Sequence, residues 1–177
     1  MRLLVVRHGE TDWNVERKMQ GHVDIELNSN GIRQANALRD NLEKQNYNID
    51  LIISSPLKRA KKTAEIISNG QIKIIYSDKI VERGFGELEG AKIEKSKEAT
   101  INDLYDINYH GSIKGLESLS DLCERTSEFL NEVKEKYNDK NVMIVTHGGT
   151  IRAINAYFVR NSEKWKIAFN WSKKLWA

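Results

Sequence analysis

Residues 3–14 read LLVVRHGETDWN: four apolar residues run straight into an arginine, a histidine and a glycine. A continuous apolar run of this length, with no polar alternation, is the pattern of a strand buried on both faces of an α/β sheet. Such a strand carries Arg7 and His8 to its exit. Three further runs of the same kind occur at 51–53, 72–75 and 142–145.

Helical patterns lie between the runs. Ala35, Leu38 and Leu42 form one stripe, with Asn28 as its N-cap. Leu57, Ala60, Ala64 and Ile67 form another, for which Ser55 is the expected N-cap and Pro56 the first helical residue. Leu119, Leu122, Cys123, Leu130 and Val133 make a third, and a fourth follows Gly148 and Gly149. Strands alternating with helices imply a three-layer α/β/α arrangement with a mostly parallel central sheet. No repeat or linker divides the chain, so residues 1–177 are expected to form one domain. Residues 84–116 lack clear periodicity and are far longer than the usual connection of about 4–6 residues, which suggests a substrate loop. The closing stretch KWKIAFNWSKKLWA, residues 164–177, is expected to add a short edge hairpin.

Composition narrows the partners. A net charge of +3 across 177 residues, with no basic arm, argues against nucleic acid. The single cysteine, Cys123, excludes an internal disulfide and sits at core spacing rather than as a catalytic thiol. No apolar run reaches membrane-spanning length, and residues 3–6 are too short for a signal-peptide core. The expectation is a cytoplasmic protein without a membrane partner, monomeric or homodimeric.

Chemistry gathers where strands end. The first exits in Arg7-His8-Gly9, the second reaches Arg59 in the first turn of its helix, and the fourth exits in Thr146-His147-Gly148-Gly149. In an open parallel sheet the ligand crevice lies at the carboxyl ends of the strands. Each residue alone has an ordinary explanation: a hydrogen-bonded core histidine, or a solvated helix arginine. Two histidines and two arginines from three strands converging on one edge do not. Planar arginine donors and glycine-flanked backbone N–H groups, such as that of Gly148, suit a phosphoryl group better than a carboxylate. Other motif classes fail. The stretch GFGELEG at 84–90 has the wrong spacing for a dinucleotide fingerprint, and neither a Walker loop nor a zinc-type His/Cys cluster is present. No cofactor and no metal are expected.

These residues also resemble a known family. LLVVRHGETDWN, SSPLKRAKKTA, VERGFGELEG and VMIVTHGGTIRAI look like the four blocks of the histidine phosphatase superfamily, in its phosphoglycerate-mutase-like branch, and GHVDIELNSNGIRQA resembles the stretch after the first block. The resemblance spans residues 3 to about 154. It implies a metal-independent phosphatase that hydrolyses small phosphorylated metabolites through a phosphohistidine on His8. Arg7, Arg59 and His147 would complete the phosphate pocket, with Asn14 and the Gly21 backbone adding donors and His22 lining the mouth. Glu82 would protonate the leaving group and then serve as base toward water, a role that a dry pocket would favour. Lys92, Lys95, Tyr105, Tyr109 and His110 are candidates for substrate recognition, with a solvated loop as the equal alternative.

Two departures from the family pattern matter. Gly115-Leu116-Glu117-Ser118 stands where the family often has Gly-Gly-Glu-Ser, and residues 91–116 contain no arginine to hold a phosphoglycerate carboxylate. The second favours hydrolysis over a cofactor-dependent mutase. A non-catalytic phospho-ligand module is the third reading, disfavoured because binding alone needs neither nucleophile nor proton donor.

Overall fold

Each of the four apolar runs supplies a strand of one sheet. A computed structural model describes residues 1–92, 104, 113–160 and 166–169. The strands are β1 (Arg2–Arg7), β2 (Leu51–Ser54), β3 (Ile74–Tyr76), β4 (Asn141–Thr146) and β5 (Lys166–Phe169). Their order across the sheet is β3-β2-β4-β1-β5, and every pairing is parallel. Register is fixed by the central pair, where Leu3 faces Val142 and Arg7 faces Thr146. The exits of β1 and β4 are therefore level, and β2 joins them with Ser54 opposite Val145.

Period-two alternation splits β1, β2, β3 and β4 between two cores. Leu3, Val5, Ile53, Val142 and Ile144 face α4 (Leu119–Lys136) and α5 (Gly148–Arg160), meeting Phe129, Leu130, Ile151 and Ile154. Leu4, Val6, Ile52, Met143 and Val145 face α2 (Ser29–Lys44) and α3 (Lys58–Ser68), meeting Leu38, Ala60, Ala64 and Ile67. Burial on both faces explains why these strands show no polar alternation. Among the described residues no helix is long and apolar enough to cross a membrane.

Several expectations need correction. Ser55 does not cap α3: that helix begins at Lys58 with Leu57 in the cap position and no side-chain cap bond. The Ser55 hydroxyl is held by His147 instead, at 2.8 Å, so Pro56 belongs to the turn before the helix. The third strand begins two residues late because Gln71 and Ile72 still donate to the Ser68 carbonyl at the end of α3. The closing stretch adds an edge strand, β5, parallel to β1; the second arm of the expected hairpin falls in residues 170–177, which lie outside the described ones, as does Trp165. Cys123 is only partly buried, while Leu122, Leu130 and Val133 on the same helix are core. Asn28 does cap α2, accepting from the Gly31 amide at 2.8 Å.

The chain after β1 makes a short helix, α1 (Asp12–Val15), not anticipated from periodicity because four residues are too few to show any. Thr11 and Asn14 form a reciprocal capping box there. The loop between β1 and α1 lies directly on the start of α2. A Cβ on Gly9 would be 2.5 Å from the Gly31 carbonyl oxygen, and one on Gly31 would collide with the Glu10 backbone. Two backbones touch there without side chains between them. Gly31→Ala is therefore expected to lower stability by about 1–3 kcal/mol, measured by urea unfolding, and to reduce turnover through the displaced His8 loop. An unchanged unfolding midpoint would show that the contact relaxes freely.

Candidate active site

Arg59, at the start of α3, has no exposed surface. Burying a guanidinium is costly unless its donors are met. Here Nη2 donates to the Gly21 carbonyl at 2.8 Å, Nη1 to the Val23 carbonyl at 2.8 Å, and Nε to His147 Nδ1 at 3.2 Å. Burial lowers its pKa to about 10, offset by Glu82 and Asp24, so it stays charged at neutral pH. Three of its five N–H donors are spent, leaving two for a ligand.

The Arg59 bond also fixes the His147 tautomer. Nδ1 accepts, so in the neutral ring Nε2 carries the hydrogen and donates to Ser55 Oγ at 2.8 Å. His8 is fixed differently. Its Nδ1 lies 2.7 Å from the Gly9 carbonyl oxygen, which can only accept, so Nδ1 carries the hydrogen. Burial, then the charges of Arg7 and Arg59, hold His8 well below the ordinary imidazole range, outweighing the Gly9 bond. His147 is lowered as well, first by burial and then by neighbouring charges. With the His8 ring neutral and Nδ1 protonated, Nε2 keeps its lone pair. The two rings lie 5.1 Å apart, centroid to centroid.

Glu82 follows the short 3₁₀ turn Asp78–Ile80 and reaches the start of α5. Its Oε1 accepts from the backbone amides of Arg83 (2.9 Å), Gly149 (3.0 Å) and Thr150 (3.3 Å). The residue is half-buried, with amide donors of the α5 N-terminus beside its carboxylate. A Cβ on Gly149 would come within 2.6 Å of Glu82 Oε1 and push the carboxyl aside.

Arg7, His8, Asn14, Gly21, Arg59, Glu82 and Gly148 line one cavity of about 190 Å³ at the carboxyl edge of the sheet. Its position is the one expected from the strand exits. Asn14 uses Oδ1 on the Thr11 amide and hydroxyl, so the donor end of its amide is not spent on the cap. Gly21 contributes its carbonyl to Arg59, where an amide donor was expected; its φ of 49° and the Glu89 carboxylate beside it exclude a side chain. Two expectations shift. His147 does not line the cavity but supports Arg59 from behind. His22 is exposed, does not line it either, and donates from Nε2 to the Glu82 carbonyl at 2.8 Å. Lys92 is exposed, and its backbone pairs with that of Lys18. Lys95, Tyr105, Tyr109 and His110 lie outside the described residues.

Sequence reasoning missed Lys18, Gln20 and Arg152, which also line the cavity. Gln20 is 8% exposed, and its Oε1 has no hydrogen-bond partner among the described residues. Arg152 was legible in principle, since it stands one helical turn beyond Gly148 on the same face. Lys18 and Gln20 follow an irregular turn that carries no periodic signal. Among the described residues, no group of three or more His, Cys, Asp and Glu side chains is placed to hold a metal.

Residues 3–171 match the family model of the histidine phosphatase superfamily (branch 1). The chain belongs to that superfamily. It is a phosphoric monoester hydrolase with the α/β fold of phosphoglycerate-mutase-like phosphatases. It is 38% identical to the uncharacterized phosphatase PhoE of Bacillus subtilis, covering 85% of this chain and 73% of the relative. A 2,3-bisphosphoglycerate-dependent phosphoglycerate mutase of Cytophaga hutchinsonii is 32% identical, covering 86% and 74%. A mutant of the Entamoeba histolytica phosphoserine phosphatase, solved in complex with phosphoserine, superposes with a TM-score of 0.77 at 30% identity, covering 90% of this chain and 81% of that one.

The ring states give a direct check on this phosphatase. At pH 6, nitrogen NMR should show His8 and His147 neutral, with the hydrogen on Nδ1 in the first and on Nε2 in the second. An unfolded imidazole titrates near about 6.5. The unfolded chain therefore binds more protons in mild acid, and the two rings cost stability as pH falls below that value. Two protonated rings at pH 6 would contradict the assignment.

Proposed function

We propose that this phosphatase hydrolyses monoesters of small phosphorylated metabolites without a metal, through a phosphohistidine on His8. The observation that carries the reading is the geometry of His8: Nδ1 is tied to the Gly9 carbonyl, which in a neutral ring leaves the Nε2 lone pair for a cavity that Arg7 and Arg59 also line. In the first step Nε2 attacks phosphorus and the bond to the leaving oxygen breaks, while Glu82 gives that oxygen its proton. In the second, water attacks phosphorus, Glu82 takes its proton, the P–N bond breaks and phosphate leaves. The transition state spreads charge over the phosphoryl oxygens, so the protein's part is placement and positive charge. Arg7, the two uncommitted N–H groups of Arg59, the Asn14 amide and the Gly148 backbone supply it. His147 keeps Arg59 in register. Oε1 of Glu82 takes most of the amide bonds, which leaves Oε2 for proton transfer.

The leaving-group side favours a second charge. We assign that side to Lys18 and Arg152, which line the same cavity as Gln20, whose Oε1 has no partner among the described residues. A leaving group that carries both an anion and a hydrogen-bond donor, as serine does, fits these three. The mutase reading needs carboxylate-binding arginines that residues 91–116 do not contain.

The test is phosphate release from an aryl phosphate in excess EDTA, comparing the native chain with His8→Ala. Turnover should persist in EDTA and fall by about a thousandfold or more in the variant. Loss of activity on chelation, or survival in the variant, would refute the mechanism. Lys18→Ala and Arg152→Ala should raise KM for phosphoserine several-fold more than KM for the aryl ester. Equal effects on both substrates would remove the second-charge preference.

A further inference from the structure

Glu82 sits in a stretch that is neither α-helix nor strand, yet its backbone is bonded from every side. Thr146 Oγ1, at the exit of β4, donates to the Ile80 carbonyl at 2.6 Å, and Thr150 Oγ1 donates to the Val81 carbonyl at 2.6 Å. Those two hydroxyls tie the segment to the exit of β4 and the first turn of α5. On the opposite side stands an ion pair that the phosphate chemistry does not use, between Arg125 on α4 and Glu117 just before it.

We infer that the Glu117–Arg125 pair is a clamp that sets the position of the Glu82 carboxyl for leaving-group protonation; the inference rests on Glu82 being the acid. Arg125 Nε lies 2.6 Å from Glu117 Oε1, and its Nη2 donates to Oε2 at 3.0 Å. Both side chains are largely out of water, at 20% and 17% exposed. The same guanidinium bridges the ends of the acid segment, donating from Nη1 to the Lys79 carbonyl at 2.8 Å and from Nη2 to the Glu82 carbonyl at 3.1 Å. Glu117 closes the other end. Its Oε2 accepts from the Gly84 amide at 3.0 Å, and its own amide donates to the Gly84 carbonyl at 2.9 Å. Residues 79–84 are thus stitched at both ends to one planar, bidentate pair, and only arginine has the fork to span it. Neither residue of the pair lines the cavity, so both are positioning residues. The glutamate of the Gly-Leu-Glu-Ser stretch thereby gains a role. Leu116, the departure beside it, packs against the cluster of Phe85, Leu88 and Ile113.

A merely structural pair would affect all substrates alike, whereas a displaced acid matters only when the leaving oxygen needs a proton. The experiment measures kcat/KM, which reports formation of the phosphoenzyme, for phosphoserine and for p-nitrophenyl phosphate in the full chain. Glu82→Gln is the reference and should lose about a hundredfold or more on the alkyl ester and far less on the aryl ester. Arg125→Met should show the same asymmetry, losing roughly ten- to a hundredfold on phosphoserine and under about threefold on the aryl ester. Glu117→Gln, which keeps the side-chain shape, should shift in the same direction by a smaller factor and carries the test should Arg125→Met fail to fold. Equal losses on both esters, or none, in the clamp variants alongside an asymmetric Glu82→Gln would overturn the clamp alone. A symmetric Glu82→Gln would overturn the acid assignment and the clamp with it.

Discussion

The site depends on one buried charge. Arg59 is held without solvent by two carbonyls from the 21–23 turn and one histidine nitrogen, and each of those bonds does a second job. The carbonyl bonds fix the turn that forms one cavity wall. The histidine bond fixes the His147 tautomer and through it Ser55 at the exit of β2. Removing the guanidinium would leave three acceptors unmet on two chain segments at once, a heavier loss than a single hydrogen bond. Its charge also helps to hold His8 neutral, which a nucleophilic nitrogen requires. Binding and activation of the nucleophile therefore share one cause.

The sheet makes this economical. Parallel strands β1, β4 and β2 end level with one another, so residues far apart in the chain meet without long loops. Glu82 is the exception, because no strand delivers it. It reaches the site from an irregular stretch and relies on hydroxyls, an ion pair and amides of α5 for its position. That contrast explains why polar bonding is so dense around residues 79–84.

The central strands and the convergence of Arg7, His8, Arg59 and His147 were legible from apolar runs and strand exits, since burial on both faces leaves a plain pattern. Ser55 was misread as a helix cap because its residue type suits a cap as well as it suits a histidine partner. His147 and His22 were placed facing the ligand, whereas their rings bond Arg59 with Ser55 and the Glu82 carbonyl respectively; sequence locates a side chain on an edge but not which way it turns. Lys18 and Gln20 were invisible because a turn after a four-residue helix has no period. Glu117 and Arg125 were separated from Glu82 by more than thirty residues, and long-range ion pairs leave no local trace.

The claim that all of this serves is transfer of phosphoryl to His8. The most direct measurement is to mix the enzyme with excess phosphoserine or aryl phosphate, quench within the first turnover, and map the phosphorylated peptide by mass spectrometry. The account predicts one phosphoryl group on His8, stable in alkali and lost in acid. Turnover with no phosphoenzyme at any quench time, or with the phosphoryl group on another residue, would contradict it.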